Sequence, residues 1–265
     1  MKGVEMPFQI TEPMVRKMLA TVDAGLVKGV GEPVPGKMCV EAAISYALGE
    51  PHSDRPSCVD SVVRHAKIRL NDASWSSDAA RALGMRRVAI AQLGSKGTID
   101  QAKFVKLLAE YTIREILPVA LRAAAILNPS YSASLQEAAS RCEAEGTRAA
   151  AAAAAARAAD AADAADAAGA AAAAAAARAA DAADAAGAAD AADAADAADA
   201  ADAAAYAAAG AAYAAVCAAD AAARAAVERD RILTLCASLM VKSLQECGSP
   251  GCEWLWLADK TDGAA

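Results

Sequence analysis

Alanine occupies 57 of the 78 residues between Ala149 and Ala226, and this tract limits what the chain can fold into. Alanine has the highest helix propensity of any residue, and the tract contains no proline, so the backbone preference is helical almost throughout. Methyl side chains make only shallow contacts and supply little apolar surface for a core. The tract therefore predicts a long helical extension rather than a globular domain.

The tract also carries a three-residue rhythm: between Arg157 and Asp202, every residue that is not alanine falls on one register. A three-residue step turns a helix by about 300°, so the aspartates visit every face within about 18 residues. This pattern fits neither a coiled coil nor collagen. An expanded Asp-Ala-Ala unit that lengthens one helix explains it. Closely packed hairpins, turning near Gly169, Gly187 and Gly210, are the alternative.

The net charge of −7 is concentrated in the tract, where eleven Asp and three Arg give −8 and leave +1 for the rest of the chain. Such a tract repels phosphate, and an aromatic content of 4% offers little surface for stacking bases. The aspartates recur too closely for a membrane span of about 20 residues. The first eleven residues lack the apolar run of a signal peptide. We expect a cytoplasmic protein without nucleic-acid or membrane partners.

Large apolar residues flank the tract at helical spacing, which predicts an all-α fold. We expect a helical N-terminal domain over residues 1–147, the alanine-rich helical region over 148–226, and a C-terminal helix with a tryptophan-containing tail over 227–265. The stretch from Phe104 to Leu127 is predicted to form the centre of the core, with a kink at Pro118. Large residues that return after the tract predict that the C-terminal segment docks back on this core.

Helix ends can be read from capping residues. Gly49 is predicted to end one helix, because glycine readily adopts the left-handed conformation that follows a last helical turn. Polar residues that precede apolar periodic stretches predict helix starts. These residues are Thr11, Ser57, Ser77, Thr98 and Ser134.

The densest set of reactive side chains lies in the 27 residues from Cys39 to His65, which contain both histidines of the chain. Cys39 is predicted in the first turn of the helix that ends at Gly49, beside Lys37. The positive end of a helix lowers the pKa of a thiol and makes it a better nucleophile. The seven cysteines, an odd number in a chain that we expect to be cytoplasmic, favour free thiols over a disulfide framework.

Two functional hypotheses follow from this set. In a thiol hydrolase, Cys39 is the nucleophile, His52 or His65 the base, and Asp54 or Asp60 the group that orients the base. A pair of capped helices joined by a loop with an incidental histidine is the simpler interpretation of the same residues.

The second hypothesis is a structural zinc site with Cys39, His52, Cys58 and His65 as ligands. The twelve, five and six residues between these ligands match no common zinc pattern.

The C-terminal tail contains Trp254 and Trp256, which either pack on the domain or serve as anchors for a partner, since tryptophan often dominates protein interfaces. The composition of the tract is similar to that of alanine-rich helical proteins of bacteria described as immunity proteins. That similarity implies no residue roles. The favoured hypothesis is a non-enzymatic interaction or scaffold protein with a protein partner and no cofactor. The thiol hydrolase and the zinc protein are the alternatives.

Overall fold

The computed structural model describes residues 8–127, 129–162, 177 and 225–259. Every regular element in these ranges is a helix, and the β pairing among them is an isolated bridge between Gly31 and Met38. The predicted all-α fold is therefore confirmed. The α-helices in chain order are α1 (Glu12–Asp23), α2 (Val40–Leu48), α3 (Ser61–Asn71), α4 (Asp78–Ala91), α5 (Gln101–Tyr111), α6 (Leu117–Leu127), α7 (Ser132–Glu145), α8 (Arg148–Ala162), α9 (Ala225–Glu246) and α10 (Leu255–Asp259).

Several predicted helix ends agree with the structure. Thr11 and Ser77 stand directly before α1 and α4, and the Ser77 hydroxyl accepts a hydrogen bond from the Ala80 N–H at 3.0 Å. Gly49 follows α2 with φ +74°, the left-handed conformation that closes a helix. Local capping rules therefore locate these boundaries correctly.

The N-terminal ends of three other helices differ from the prediction. The cap of α3 is Asp60 rather than Ser57, and the cap of α5 is Asp100 rather than Thr98. In both cases a carboxylate nearer to the helix accepts the free N–H, and a charged acceptor is stronger than a hydroxyl. Helix α7 begins at Ser132, two residues before the predicted cap Ser134.

A π-helical turn, Thr112–Ile116, lies between α5 and α6, just before the position of the predicted kink, Pro118. The Leu117 N–H bonds to the carbonyl of Thr112, five residues earlier. Proline has no N–H to donate, and its ring clashes with the preceding turn of an α-helix. The wider π-helical turn just before Pro118 leaves room for the ring and does not need the missing hydrogen bond. The chain continues as helix on either side, and Phe104, Ile113 and Leu121 are buried as predicted.

Helix α4 shares the centre of the fold with this long segment. It packs against α1, α2, α9, α10 and the short 3₁₀ turn Pro250–Trp254. Its small residues permit this close packing: a Cβ on Gly84 would lie 2.3 Å from the ring of Trp75, which is buried against the helix at that point. The sequence analysis did not single out α4 as part of this centre, because several of its buried residues are small.

Helix α9 returns to the core after the alanine tract, as predicted. It packs against α4, α5 and the π-helical turn, with Ile232, Met240 and Leu244 among its buried residues. The turn that follows α9 is fixed to the end of α4, since the Ser249 hydroxyl donates to the Ala91 carbonyl at 2.6 Å.

The beginning of the alanine tract belongs to the packed body. Helix α8 lies against α6 and α7, and Ala150, Ala151, Ala154 and Ala158 form its buried stripe. Methyl groups let the helix backbones approach closely. Most of the tract, residues 163–176 and 178–224, lies outside the described residues. The predictions of one long helix or of packed hairpins therefore stay predictions. Among the described helices, none is long and apolar enough to cross a membrane.

Gly251 provides a test of the docking after α9. Its N–H donates to the Leu93 carbonyl at 2.9 Å, and a Cβ there would lie 2.1 Å from the carbonyl oxygen of Ile90. We expect Gly251→Ala to lower the free energy of unfolding by about 2–3 kcal/mol, because backbone must move to admit the methyl group. The measurement is urea denaturation followed by circular dichroism.

The matched control is Gly248→Ala. Gly248 has φ +71°, and a methyl group added to it would meet none of the described atoms within 4 Å. Only the left-handed backbone conformation is therefore penalised, by about 1 kcal/mol. Equal losses in the two variants would contradict the packing of this turn against α4.

Candidate functional site

An ion pair between Glu41 of α2 and Lys67 of α3 lies at the centre of the candidate site. Both side chains are 0% exposed, and Lys67 Nζ contacts Glu41 Oε1. The amide of Gln92, at the end of α4, completes the cluster: its nitrogen donates to Glu41 Oε1 and its oxygen accepts from Lys67 Nζ, each at 3.3 Å. We call Glu41, Lys67 and Gln92 the polar cluster. It connects three helices through the interior.

Burial dominates the electrostatics of the polar cluster. Loss of hydration raises the pKa of Glu41 and lowers the pKa of Lys67, while the attraction between the two side chains opposes both shifts. Removing a charge from water is costly, so a buried pair of this kind contributes little net stability. It does restrict packing, because any other arrangement leaves an unpaired charge inside the protein.

A cavity of about 60 Å³ borders the polar cluster between α2 and α3. Glu41 and Lys67 line it, and Glu41 Oε2 has no hydrogen-bond partner among the described residues. Asp54 and Asp72 add two carboxylates to the lining, and the walls include Val30, Cys39, Val40 and Ile68. We call this space the α2–α3 cavity.

Cys39 is the cap residue of α2, close to its predicted position in the first turn. Its Sγ accepts a hydrogen bond from the Ala42 N–H at 3.4 Å. Burial nevertheless raises the pKa of this thiol, although the Ala42 N–H and the charge of Lys67 act in the other direction. The predicted lowering of the pKa is therefore wrong, because the loss of hydration outweighs the helix terminus.

Each histidine has a hydrogen bond to a group other than Cys39. His52 Nε2 donates to the carbonyl of Gly31 at 3.0 Å, and His65 Nε2 accepts from Arg64 Nη2 at 3.2 Å. Neither histidine is among the described residues that line the α2–α3 cavity. Of the residues predicted for a thiol hydrolase, only Cys39 and Asp54 share this cavity.

The remaining predicted residues are not among those that line the α2–α3 cavity. Asp60, the alternative orienting group, caps α3 and accepts from the Val62 N–H at 3.0 Å. Cys58 is buried, which raises the pKa of its thiol to about 11. Among the described residues, no three His, Cys, Asp or Glu side chains converge where they could hold a metal ion. The proposed zinc ligands Cys39, His52, Cys58 and His65 are therefore not assembled.

The tail tryptophans differ in exposure. Trp254, in the 3₁₀ turn, packs partly buried against the core, whereas Trp256 of α10 is 41% exposed. A role for these side chains in partner binding stays a prediction.

A second concave surface, missed by the sequence analysis, lies at the other end of α3. It is a cleft of about 500 Å³ with three cationic side chains, Arg55, Arg64 and Lys96. We call it the basic cleft. Pro56, Val59 and Ile99 form its apolar lining, and Asp60 contributes a carboxylate. The three cations come from separate segments without any common spacing, so only the fold reveals their proximity.

Hydrogen bonds hold the two sides of the basic cleft together. The Asp60 carboxylate accepts from Gln101 Nε2 at 3.0 Å through each oxygen, and the Asp60 N–H donates to Ser95 Oγ at 2.9 Å. The Lys96 N–H donates to the carbonyl of Cys58 at 3.1 Å. The cleft is therefore a preformed surface, and the carboxylate of Asp60 is already engaged.

Comparison of the chain with models of known protein families, with curated proteins and with solved structures finds no match. Functional inference therefore depends on the geometry of these two sites.

Thiol reactivity tests the assignment of Cys39. We expect iodoacetamide at pH 7.4 to label Cys39 more slowly than the partly exposed Cys247, because burial restricts access and keeps the Cys39 thiol protonated. Peptide mass spectrometry at successive times gives both rates, and labelling in denaturant provides the control in which the difference disappears. Selective rapid labelling of Cys39 would instead support a catalytic thiol.

The polar cluster predicts a non-additive pair of substitutions. Lys67→Met or Glu41→Leu alone leaves a buried charge without its partner and should lower the free energy of unfolding by about 3–5 kcal/mol. The double variant removes both charges and should lose less than either single variant. Urea denaturation of all four proteins measures the coupling; a double loss equal to the sum of the single losses would contradict the pairing.

Proposed function

We propose that this chain is a non-enzymatic interaction protein that binds an acidic segment of a partner protein in the basic cleft. The observation that carries the proposal is the convergence of Arg55, Arg64 and Lys96 around one preformed cleft. The net charge of −7 comes from the alanine tract, and the rest of the chain, which holds the cleft, carries +1.

The size and lining of the basic cleft support this kind of ligand. Its volume of about 500 Å³ falls within the range of about 300–1,000 Å³ that is typical of ligand sites. Cations around an apolar floor suit a peptide whose carboxylates bind the rim while its aliphatic carbons pack on Pro56, Val59 and Ile99. The first turn of α3, where Ser61 is exposed, adds the positive end of a helix dipole.

The arrangement around Cys39 supports a binding role over hydrolysis. A cysteine hydrolase needs a thiolate and a base within hydrogen-bond reach. The Cys39 thiol instead has a raised pKa, and its sulfur accepts from the Ala42 N–H. These features are typical of a helix cap rather than of a nucleophile.

Titration with hexaglutamate tests the proposal by isothermal calorimetry, with hexaserine as the uncharged control peptide. We expect saturable binding of hexaglutamate that weakens when sodium chloride is raised from about 50 to about 300 mM, because salt screens exposed charges. Arg64→Gln should weaken the affinity by about five- to tenfold, as expected for one charge-assisted hydrogen bond at a partly exposed site.

Arg16→Gln is the matched control, since Arg16 is an exposed cation of α1 that pairs with Glu12 and does not line the basic cleft. It should bind hexaglutamate as the unchanged protein does. Equal weakening in the two variants, or equal binding of hexaserine, would overturn the proposal.

A further inference from the structure

The geometry points to a second ligand site of opposite charge: we infer that the α2–α3 cavity binds a small alkylammonium ion, whose ammonium group donates a hydrogen bond to Glu41 Oε2. This site lies at the other end of α3 from the basic cleft and does not depend on the proposed function. Three independent features of the cavity lead to this ligand class: an unpartnered carboxylate oxygen, its balance of charge, and its size with apolar walls.

The first feature is the unpartnered oxygen. Lys67 and Gln92 both bind Glu41 Oε1, whereas Oε2 of the same fully buried carboxyl group has no partner among the described residues. Buried carboxylate oxygens are almost always hydrogen-bonded, because an unsatisfied one loses its hydration without compensation. Glu41 lines the α2–α3 cavity, so a donor held there can supply the missing hydrogen bond.

The second feature is charge. Glu41, Asp54 and Asp72 line the cavity together with the cation Lys67. Asp72 Oδ1 is held by the Gly29 N–H at 2.9 Å and by Asn71 Nδ2 at 2.8 Å. Asp54 is less engaged, since the side chain of Arg55 is 3.9 Å away. This excess of acids over bases in the described lining favours a cationic ligand and disfavours an anion.

The third feature is the size and lining of the cavity. A volume of about 60 Å³ equals the space of about four to six waters, each of which needs about 10–15 Å³. A ligand of three or four heavy atoms fits this space. Val30, Val40 and Ile68 offer an apolar wall for a short alkyl chain, and an ammonium group supplies three donors at its other end.

Ethylammonium chloride is the probe for this site. A ligand of three heavy atoms binds no more tightly than about 1 mM, so the experiment follows backbone amide shifts by NMR during a titration to about 100 mM. We expect saturable shifts in the segments that line the cavity, Gly29–Val30, Cys39–Glu41 and Lys67–Asp72. Two controls are titrated to the same concentrations. Ethanol shows whether an uncharged molecule of the same size produces the shifts, and sodium chloride shows whether ionic strength alone does.

Asp54→Asn separates charge recognition from loss of folding, because Asp54 lies in a loop and is partly exposed. It should weaken ethylammonium binding by about three- to fivefold, the size expected for one partly exposed ion pair. Glu32→Gln is the matched control: it removes an exposed carboxylate that does not line the cavity and should leave the affinity unchanged.

The inference is overturned by any of three results: no saturable shift in the cavity segments, the same shifts with ethanol, or equal affinities in Asp54→Asn and the unchanged protein. None of these results bears on hexaglutamate binding by the basic cleft. Failure of this inference is therefore distinguishable from failure of the proposed function.

Discussion

The buried pair of Glu41 and Lys67 is the interaction on which the arrangement of the candidate sites depends. Both charges are fully removed from water. The folded state is therefore favourable only when Glu41, Lys67 and Gln92 stay within hydrogen-bonding distance of one another. This requirement fixes α2, α3 and α4 relative to one another more strictly than apolar contacts would. Residues of α3 line both the α2–α3 cavity and the basic cleft, so the position of α3 determines the geometry of both sites.

Some of the charges around α3 are the reverse of those that stabilise an isolated helix. Anions are favoured near a helix N-terminus and cations near its C-terminus. Here Arg64 and Lys96 lie near the beginning of α3, and Asp72 follows its end, although the cap Asp60 and Arg69 obey the usual rule. The two proposed ligands, of opposite charge, would relieve both ends of α3.

The sequence predicted the class of fold and much of its outline. Helical spacing of large residues and a few capping residues, such as Ser77 and Gly49, depend on neighbours along the chain and are therefore readable locally. The return of α9 to the core was also predictable, because Ile232 and Leu244 need a partner surface after a tract that offers only methyl groups.

The sites were harder to predict, because they depend on distant residues. Glu41 and Lys67 are 26 positions apart, and only their charge among apolar neighbours such as Ile44 and Val63 signals that they are buried. The prediction for Cys39 considered the helix terminus and omitted the loss of hydration, which has the larger effect on its pKa. The burial of these polar and reactive side chains is a property of the folded chain, and local patterns did not reveal it.

Native-state hydrogen exchange tests most directly whether the buried pair holds α2, α3 and α4 as one unit. The slowest amides of these three helices are measured in the unchanged protein and in Lys67→Met. We expect Lys67→Met to lower the protection of all three helices together, by a similar free energy. Loss of protection in α2 or α3 alone, with α4 exchanging as in the unchanged protein, would contradict it.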